Sequence, residues 1–151
     1  MTTNTSTDDP LAALLCFDLY AASRTVTAAY RPVLADLGLT YPQYLVLVVL
    51  AAQNDAVPIK HLRNALRLDH ATLTPLLRRL EDAGMLTRER SSADERSVSI
   101  ALTRQGREVA THFDAVQCRV ADILGLEPRQ VETLRDLLRQ VTASAQTSLR
   151  G

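Results

Sequence analysis

The feature that most constrains this chain is a change of period. In "PIKHLRNALRLDHATLTPLLRRLEDAGM", residues 58–85, apolar side chains recur at helical spacing, first Ile59, Leu62 and Leu66, then Leu73, Leu76, Leu77 and Leu80. In the next stretch, "LTRERSSADERSVSIALT", the spacing falls to two. Leu86, Arg88 and Arg90 alternate with Thr87 and Glu89, and Val98, Ile100 and Leu102 alternate with Ser97, Ser99 and Ala101. A helical stripe and a strand face bury different residues, so neither stretch can take the other's place. "RLD" separates the two helices, Asp69 is placed to cap the second, Gly84 to stop it, and "SSADE" is a polar turn between the strands.

Two short helices followed directly by a hairpin form a winged helix-turn-helix, expected over residues 39–103. Upstream, Leu15, Leu19, Ala22 and Val26 mark a helical segment from Leu11 to Leu37, which Pro32 must end, kink or restart and Gly38 stops. Thr40 and Gln43 then have capping-box spacing with Pro42 in the first turn, and "YLVLVVLAA" is apolar on nearly every side, so this helix should be buried all round.

Downstream, a helix from Thr103 to Leu124 carries Val109, Phe113, Val116 and Val120 on one stripe. After Gly125 another carries Val131, Leu134, Leu137, Leu138 and Val141. These terminal helices hold more aliphatic surface than a small domain covers by itself, which predicts packing against a second copy. The expected fold class is therefore mainly α with a small β-hairpin wing: a winged helix-turn-helix whose terminal helices, residues 11–38 and 104–151, form a dimerisation region of one intertwined domain. Residues 1–10 are expected to be a disordered tail.

At 151 residues the chain suits one domain and can bury a core without staples, and its two cysteines, 102 positions apart, match neither a disulfide framework nor zinc-ligand spacing. The polar, acidic opening lacks the pattern of a signal peptide, and no run approaches a membrane span, so a cytoplasmic protein with reduced thiols is expected. Seventeen basic and seventeen acidic residues cancel overall but not locally. Residues 1–56 carry minus three, 57–104 plus three, and 105–151 are balanced, so an anionic partner should dock in the middle third.

The polar face of the second short helix presents His70, Thr74 and Arg78 at successive turns, with Thr72 and Arg79 beside them. Such a helix fits a DNA major groove, where Arg reads guanine and Thr reads phosphate or a thymine methyl. Arg63, Arg67 and Arg79 would neutralise phosphates, and Arg88 and Arg90 extend the basic surface into the hairpin. At its tip Arg96 suits a minor groove, with Asp94 holding the guanidinium. A basic amphipathic helix alone would more often be an ordinary solvated face; helix, turn, helix and basic hairpin in that order favour DNA. His61, His70 and His112 form no ligand set with either cysteine, and no phosphate loop, catalytic triad or paired-carboxylate motif appears, so neither a metal, a cofactor nor an enzyme is expected.

"LCFDLYAASR", "TYPQYLVLVVL" and "LDHATLTPLLRRLEDAGMLTRERSSADERSVSIALT" together resemble the MarR family of winged-helix repressors, and within it the organic hydroperoxide resistance regulators. The resemblance implies a homodimeric repressor on pseudo-palindromic operator DNA, released when organic hydroperoxide oxidises a thiol in the first helix. It implies Cys16 as that thiol, Tyr30 and Tyr41 as phenols that hydrogen-bond it from the other subunit, Tyr20 as a further tyrosine near the site, and Cys118 as the resolving thiol of the two-cysteine subtype.

The residues themselves leave Cys16 open. A free cysteine between Leu15 and Phe17 is more often inert packing. Phenol donors would stabilise a thiolate, and all four tyrosines, Tyr20, Tyr30, Tyr41 and Tyr44, lie in the N-terminal third. A repressor binding an aromatic ligand non-covalently, a thiol peroxidase and a plain dimeric scaffold are the competing readings.

Overall fold

The computed structural model describes residues 9–90 and 97–150. In chain order the elements are α1 (Leu15–Leu34), a 3-10 turn (Ala35–Leu37), α2 (Tyr41–Ala51), β1 (Val57–Pro58), α3 (Ile59–Leu66), α4 (His70–Asp82), β2 (Leu86–Arg90), β3 (Val98–Leu102), α5 (Arg104–Ala110), α6 (Phe113–Leu124) and α7 (Pro128–Arg150). Residues 1–8 of the expected tail, and the hairpin tip with Asp94 and Arg96, lie outside the described residues.

The local signals act where the sequence places them. Thr40 accepts from the Gln43 N–H while the Gln43 side chain accepts from the Thr40 N–H at 2.9 Å, closing the capping box of α2. Asp69 accepts from the Thr72 N–H at 2.7 Å and opens α4. Gly38, Gly84 and Gly125 adopt left-handed conformations at the ends the sequence assigned them.

Helix α2 lies at the centre, packed against α1, α3, α4, α5 and β3, with Tyr44, Val46, Leu47 and Leu50 buried and most of its remaining residues half-buried. Leu34, Leu62, Leu73, Leu77, Leu80 and Ile100 complete the most enclosed part of the core. Full burial of a leucine stabilises the fold by roughly 2 kcal/mol, and truncating one to Ala costs about 2–5 kcal/mol.

The sheet has the order β1-β3-β2 and is antiparallel throughout. Leu86 pairs with Leu102, Arg88 with Ile100 and Arg90 with Val98, so period two holds across the wing. The third strand, β1, is an addition to the expected hairpin: Val57 pairs with Ile100 and is buried.

Three boundaries differ from the sequence expectation. Helix α1 begins at Leu15 rather than Leu11, because Asp9 draws the preceding residues into turns: its carboxylate accepts from the Leu11 N–H at 2.9 Å. It continues through Pro32 and ends two residues later. The helix expected over 103–124 is two helices. At Thr111 and His112 the backbone N–H groups bond three residues back, to Glu108 and Val109, and α6 starts afresh at Phe113.

Helix α7, 23 residues long, has no buried residue, and Leu134, Leu137, Leu138 and Val141 stand exposed. Among the described residues no single helix is long and apolar enough to cross a membrane.

Candidate nucleic-acid interface and thiol site

Helix α4 buries Leu73, Leu77 and Leu80 and turns His70, Thr72, Arg78 and Arg79 outward. Thr74 is half-buried, and its hydroxyl donates to the His70 carbonyl at 2.8 Å. Arg63 and Arg67 are exposed nearby; Arg67 closes α3 at φ 55°, its N–H bonded to the Arg63 and Asn64 carbonyls. The Asp69 carboxyl is held below its usual value, first by its hydrogen bonding to Thr72 and then by the charges of Arg63 and His70, so the cap stays ionised at the mouth of the basic helix.

The two wing arginines of β2 differ. Arg88 lies opposite Ile100 on the sheet face toward α4, and its Nε donates to Glu81 at 2.9 Å. Its cation is thereby paired with α4, while the side chain stays 34% exposed. Arg90 is exposed at the end of β2.

Cys16 is exposed in the first turn of α1, flanked by exposed Leu14, Leu15 and Phe17. One turn on, Tyr20 is 59% exposed; Arg24 donates to its hydroxyl at 3.4 Å and places its guanidinium carbon 5.4 Å from the ring centroid. Tyr30 and Tyr41 come together, with ring centroids 4.4 Å apart. Tyr30 lies fourteen residues beyond Cys16 on the same helix, roughly 21 Å along its axis, so one chain does not bring the phenols to the thiol. Cys118 is exposed on α6, on the side away from the buried Phe113, Val116 and Val120.

Sequence reasoning left Tyr44 outside the site, but it completes an aromatic cluster. Its centroid is 5.7 Å from Tyr30 and 6.3 Å from Tyr41. The spacing of 41 and 44 on one helix was the available signal. Burial, and then the neighbouring phenols, push the Tyr30 and Tyr41 hydroxyls above the ordinary value of 10.0, so both remain neutral hydrogen-bond donors at physiological pH. Among the described residues no cluster of three or more His, Cys, Asp or Glu side chains forms a potential metal site.

Residues 28–113 match the family described as transcriptional regulator SarA/Rot. The organic hydroperoxide resistance transcriptional regulator of Bacillus subtilis is 44% identical over 126 residues, covering 82% of this chain and 81% of that protein. The regulator TtmR of Methylorubrum extorquens is 43% identical over 136 residues, 89% of this chain and 69% of that one. AbfR, a Staphylococcus epidermidis protein, is similar in its reduced, DNA-bound form at TM-score 0.73 and 33% identity, over 89% of this chain and 94% of that one. Its disulfide form matches at TM-score 0.63 and 30% identity, over 93% of each chain. These relatives are regulators rather than enzymes, and the chain belongs to the SarA/Rot/MarR-type family of winged-helix transcriptional regulators.

Proposed function

We propose that this chain is a redox-responsive repressor that binds operator DNA as a homodimer while Cys16 is reduced and leaves it when organic hydroperoxide oxidises that thiol. The observation that carries the reading is the setting of Cys16: an exposed thiol among exposed apolar side chains, at the far end of α1 from the half-buried phenol pair of Tyr30 and Tyr41. A second copy, packed through α1 and the bare apolar face of α7, would supply the missing phenols to each thiol and cover both surfaces. The likeness to the hydroperoxide resistance regulator, and to AbfR in reduced DNA-bound and disulfide forms, supports the same reading.

The Cys16 thiolate attacks the peroxide: an S–O bond forms as the hydroxyl is transferred with its proton, the O–O bond breaks, and the alkoxide leaves and takes a proton from water as the alcohol. Cys16 is oxidised to the sulfenic acid as the peroxide is reduced. In the two-cysteine version, the thiolate of Cys118 of the partner subunit then displaces water to form a disulfide. That bond needs Cα atoms within about 7 Å. Closing to that distance would shift the two recognition helices relative to one another, and they must match half-sites about one DNA turn apart. Neutral phenols at Tyr30 and Tyr41 favour the thiolate as hydrogen-bond donors. His70, Thr72, Thr74, Arg78 and Arg79 read or hold the duplex, Arg90 and Arg96 extend the contact into the wing, Asp94 orients Arg96, and Arg88 acts from its pairing with Glu81.

The test is DNA binding by wild type, Cys16→Ser and Cys118→Ser before and after stoichiometric cumene hydroperoxide, with non-reducing gels alongside. Wild type should be released and Cys16→Ser should stay bound. Release of Cys16→Ser as readily as wild type would overturn the sensor assignment, and a peroxide-induced covalent dimer of Cys118→Ser would overturn the resolving role.

A further inference from the structure

The recognition helix ends in a turn whose carbonyls are all held from one place. Ala83, Gly84 and Met85 join α4 to β2, and each carbonyl accepts from the start of α5. Gln105 Nε2 donates to Ala83 at 3.4 Å, Thr103 Oγ1 to Gly84 at 2.6 Å, and the Thr103 N–H to Met85 at 3.1 Å. The Thr103 hydroxyl also accepts from the Gly106 N–H at 3.1 Å, capping α5. One hydroxyl thus donates across nineteen residues of sequence and accepts locally, a pairing available only to Ser or Thr among small side chains. At Gly106 the two elements touch without a side chain between them, since a Cβ there would run into the Met85 carbonyl oxygen.

We propose that Thr103 is a positioning residue for DNA reading. With Gln105 and Gly106 it locks α4, its terminal turn and α5 into one body, so the tilt of the recognition helix follows α5. At Thr111 and His112 the backbone tightens to bonds three residues back, which separates α5 from α6. Helix α6 packs on α1, which carries Cys16. Under the proposal, a displacement at the thiol end reaches the locked body as a unit, through α6 and through α2, which packs on α1, α4 and α5. The inference rests on the proposed reading of α4 as the DNA-reading helix, and two copies of that helix must hold a fixed separation to match two half-sites.

The experiment uses the reduced full-length protein and the duplex it selects from a random pool, resynthesised with its half-sites moved together or apart by single base pairs. Thr103→Val keeps shape and branching but removes both hydroxyl bonds; Thr103→Ser keeps both. Thr103→Val should bind the selected duplex about tenfold more weakly, the scale of losing its two part-exposed hydroxyl bonds, and should discriminate less against altered spacing. Thr103→Ser should stay within about twofold of wild type and Gln105→Ala should lose about two- to threefold. The rate at which peroxide consumes the Cys16 thiol should be unchanged in all three. A Thr103→Val protein with the wild-type spacing profile, or Ser and Val variants equally impaired, overturns the proposal.

If Thr103→Val does not fold, the exposed Gln105→Ala decides, and a wild-type profile for it overturns the proposal as well. Wild-type protein that selects no duplex overturns the DNA reading and this inference together, whereas a spacing profile indifferent to Thr103 overturns only the lock.

Discussion

The Tyr44 ring stands edge-on to Phe113, centroids 4.9 Å apart and planes at 82°, and joins the phenol pair of Tyr30 and Tyr41 to the first residue of α6. Tyr44 is 2% exposed and Phe113 is 6% exposed, so the link lies within the core. Phe113→Ala should cost about 3–5 kcal/mol in urea denaturation. Tyr44→Phe, which keeps the edge contact, should stay within about 1 kcal/mol of wild type.

The raised Tyr30 and Tyr41 hydroxyls set an alkaline limit. The folded chain holds these protons more tightly than the unfolded chain, so their contribution is complete below pH 10.0 and is lost as pH rises through their folded values. Tyr30→Phe or Tyr41→Phe should flatten that fall in a urea series measured from pH 9 upward, and an unchanged slope would show that the phenols titrate as they do in the unfolded chain.

Asp69 behaves in the opposite sense. Its carboxyl is lowered from 3.8, so its support of α4 is present above that pH and lost as pH falls through the lowered value. Asp69→Ala should lower Tm at neutral pH and weaken DNA binding, while Asp69→Asn, which still caps, should keep Tm and lose its share of the acid dependence. Circular dichroism melts at pH 7 and pH 3 separate the two.

The Arg88 and Glu81 side chains are 34% and 40% exposed, so Arg88→Ala should change stability by less than about 1 kcal/mol. Its effect on DNA affinity should be smaller than that of Arg78→Ala, because the guanidinium is already paired. A larger loss at Arg88, measured by anisotropy titration at fixed salt, would mean that it leaves Glu81 for the duplex.

The exposed leucines of α7 give a separate test of assembly. Leu134→Glu with Leu138→Glu should yield monomers by light scattering and reduce DNA affinity at least about tenfold, since one recognition helix then replaces two. Retention of a dimer would move the interface off α7.

Local chemistry made much of this fold legible. Thr40 with Gln43, Asp69, and the glycines at 38, 84 and 125 act through neighbours within a few residues, so their signals survive in sequence. What was missed depends on distant partners. Strand β1 is two residues long and exists because Val57 meets Ile100. The break at Thr111 has neither glycine nor proline, and the apolar stripe of Val109, Phe113 and Val116 runs across it uninterrupted. In the thiol site, Tyr30 and Tyr41 meet as a pair, but the separation of Cys16 from them follows from the length of α1, and the inclusion of Tyr44 from the way α2 crosses α1.

The unburied α7 makes the number of molecules a variable of the fold. If a second copy covers it as proposed, a 23-residue helix with no buried residue leaves part of each protomer's stabilisation to that encounter. Under the proposed assembly Tm rises with protein concentration, and a cell holding few copies holds less durable ones. On that reading, operator occupancy falls faster than in proportion as the protein is diluted by growth, because scarcity both thins the dimers and shortens the survival of the chains that remain.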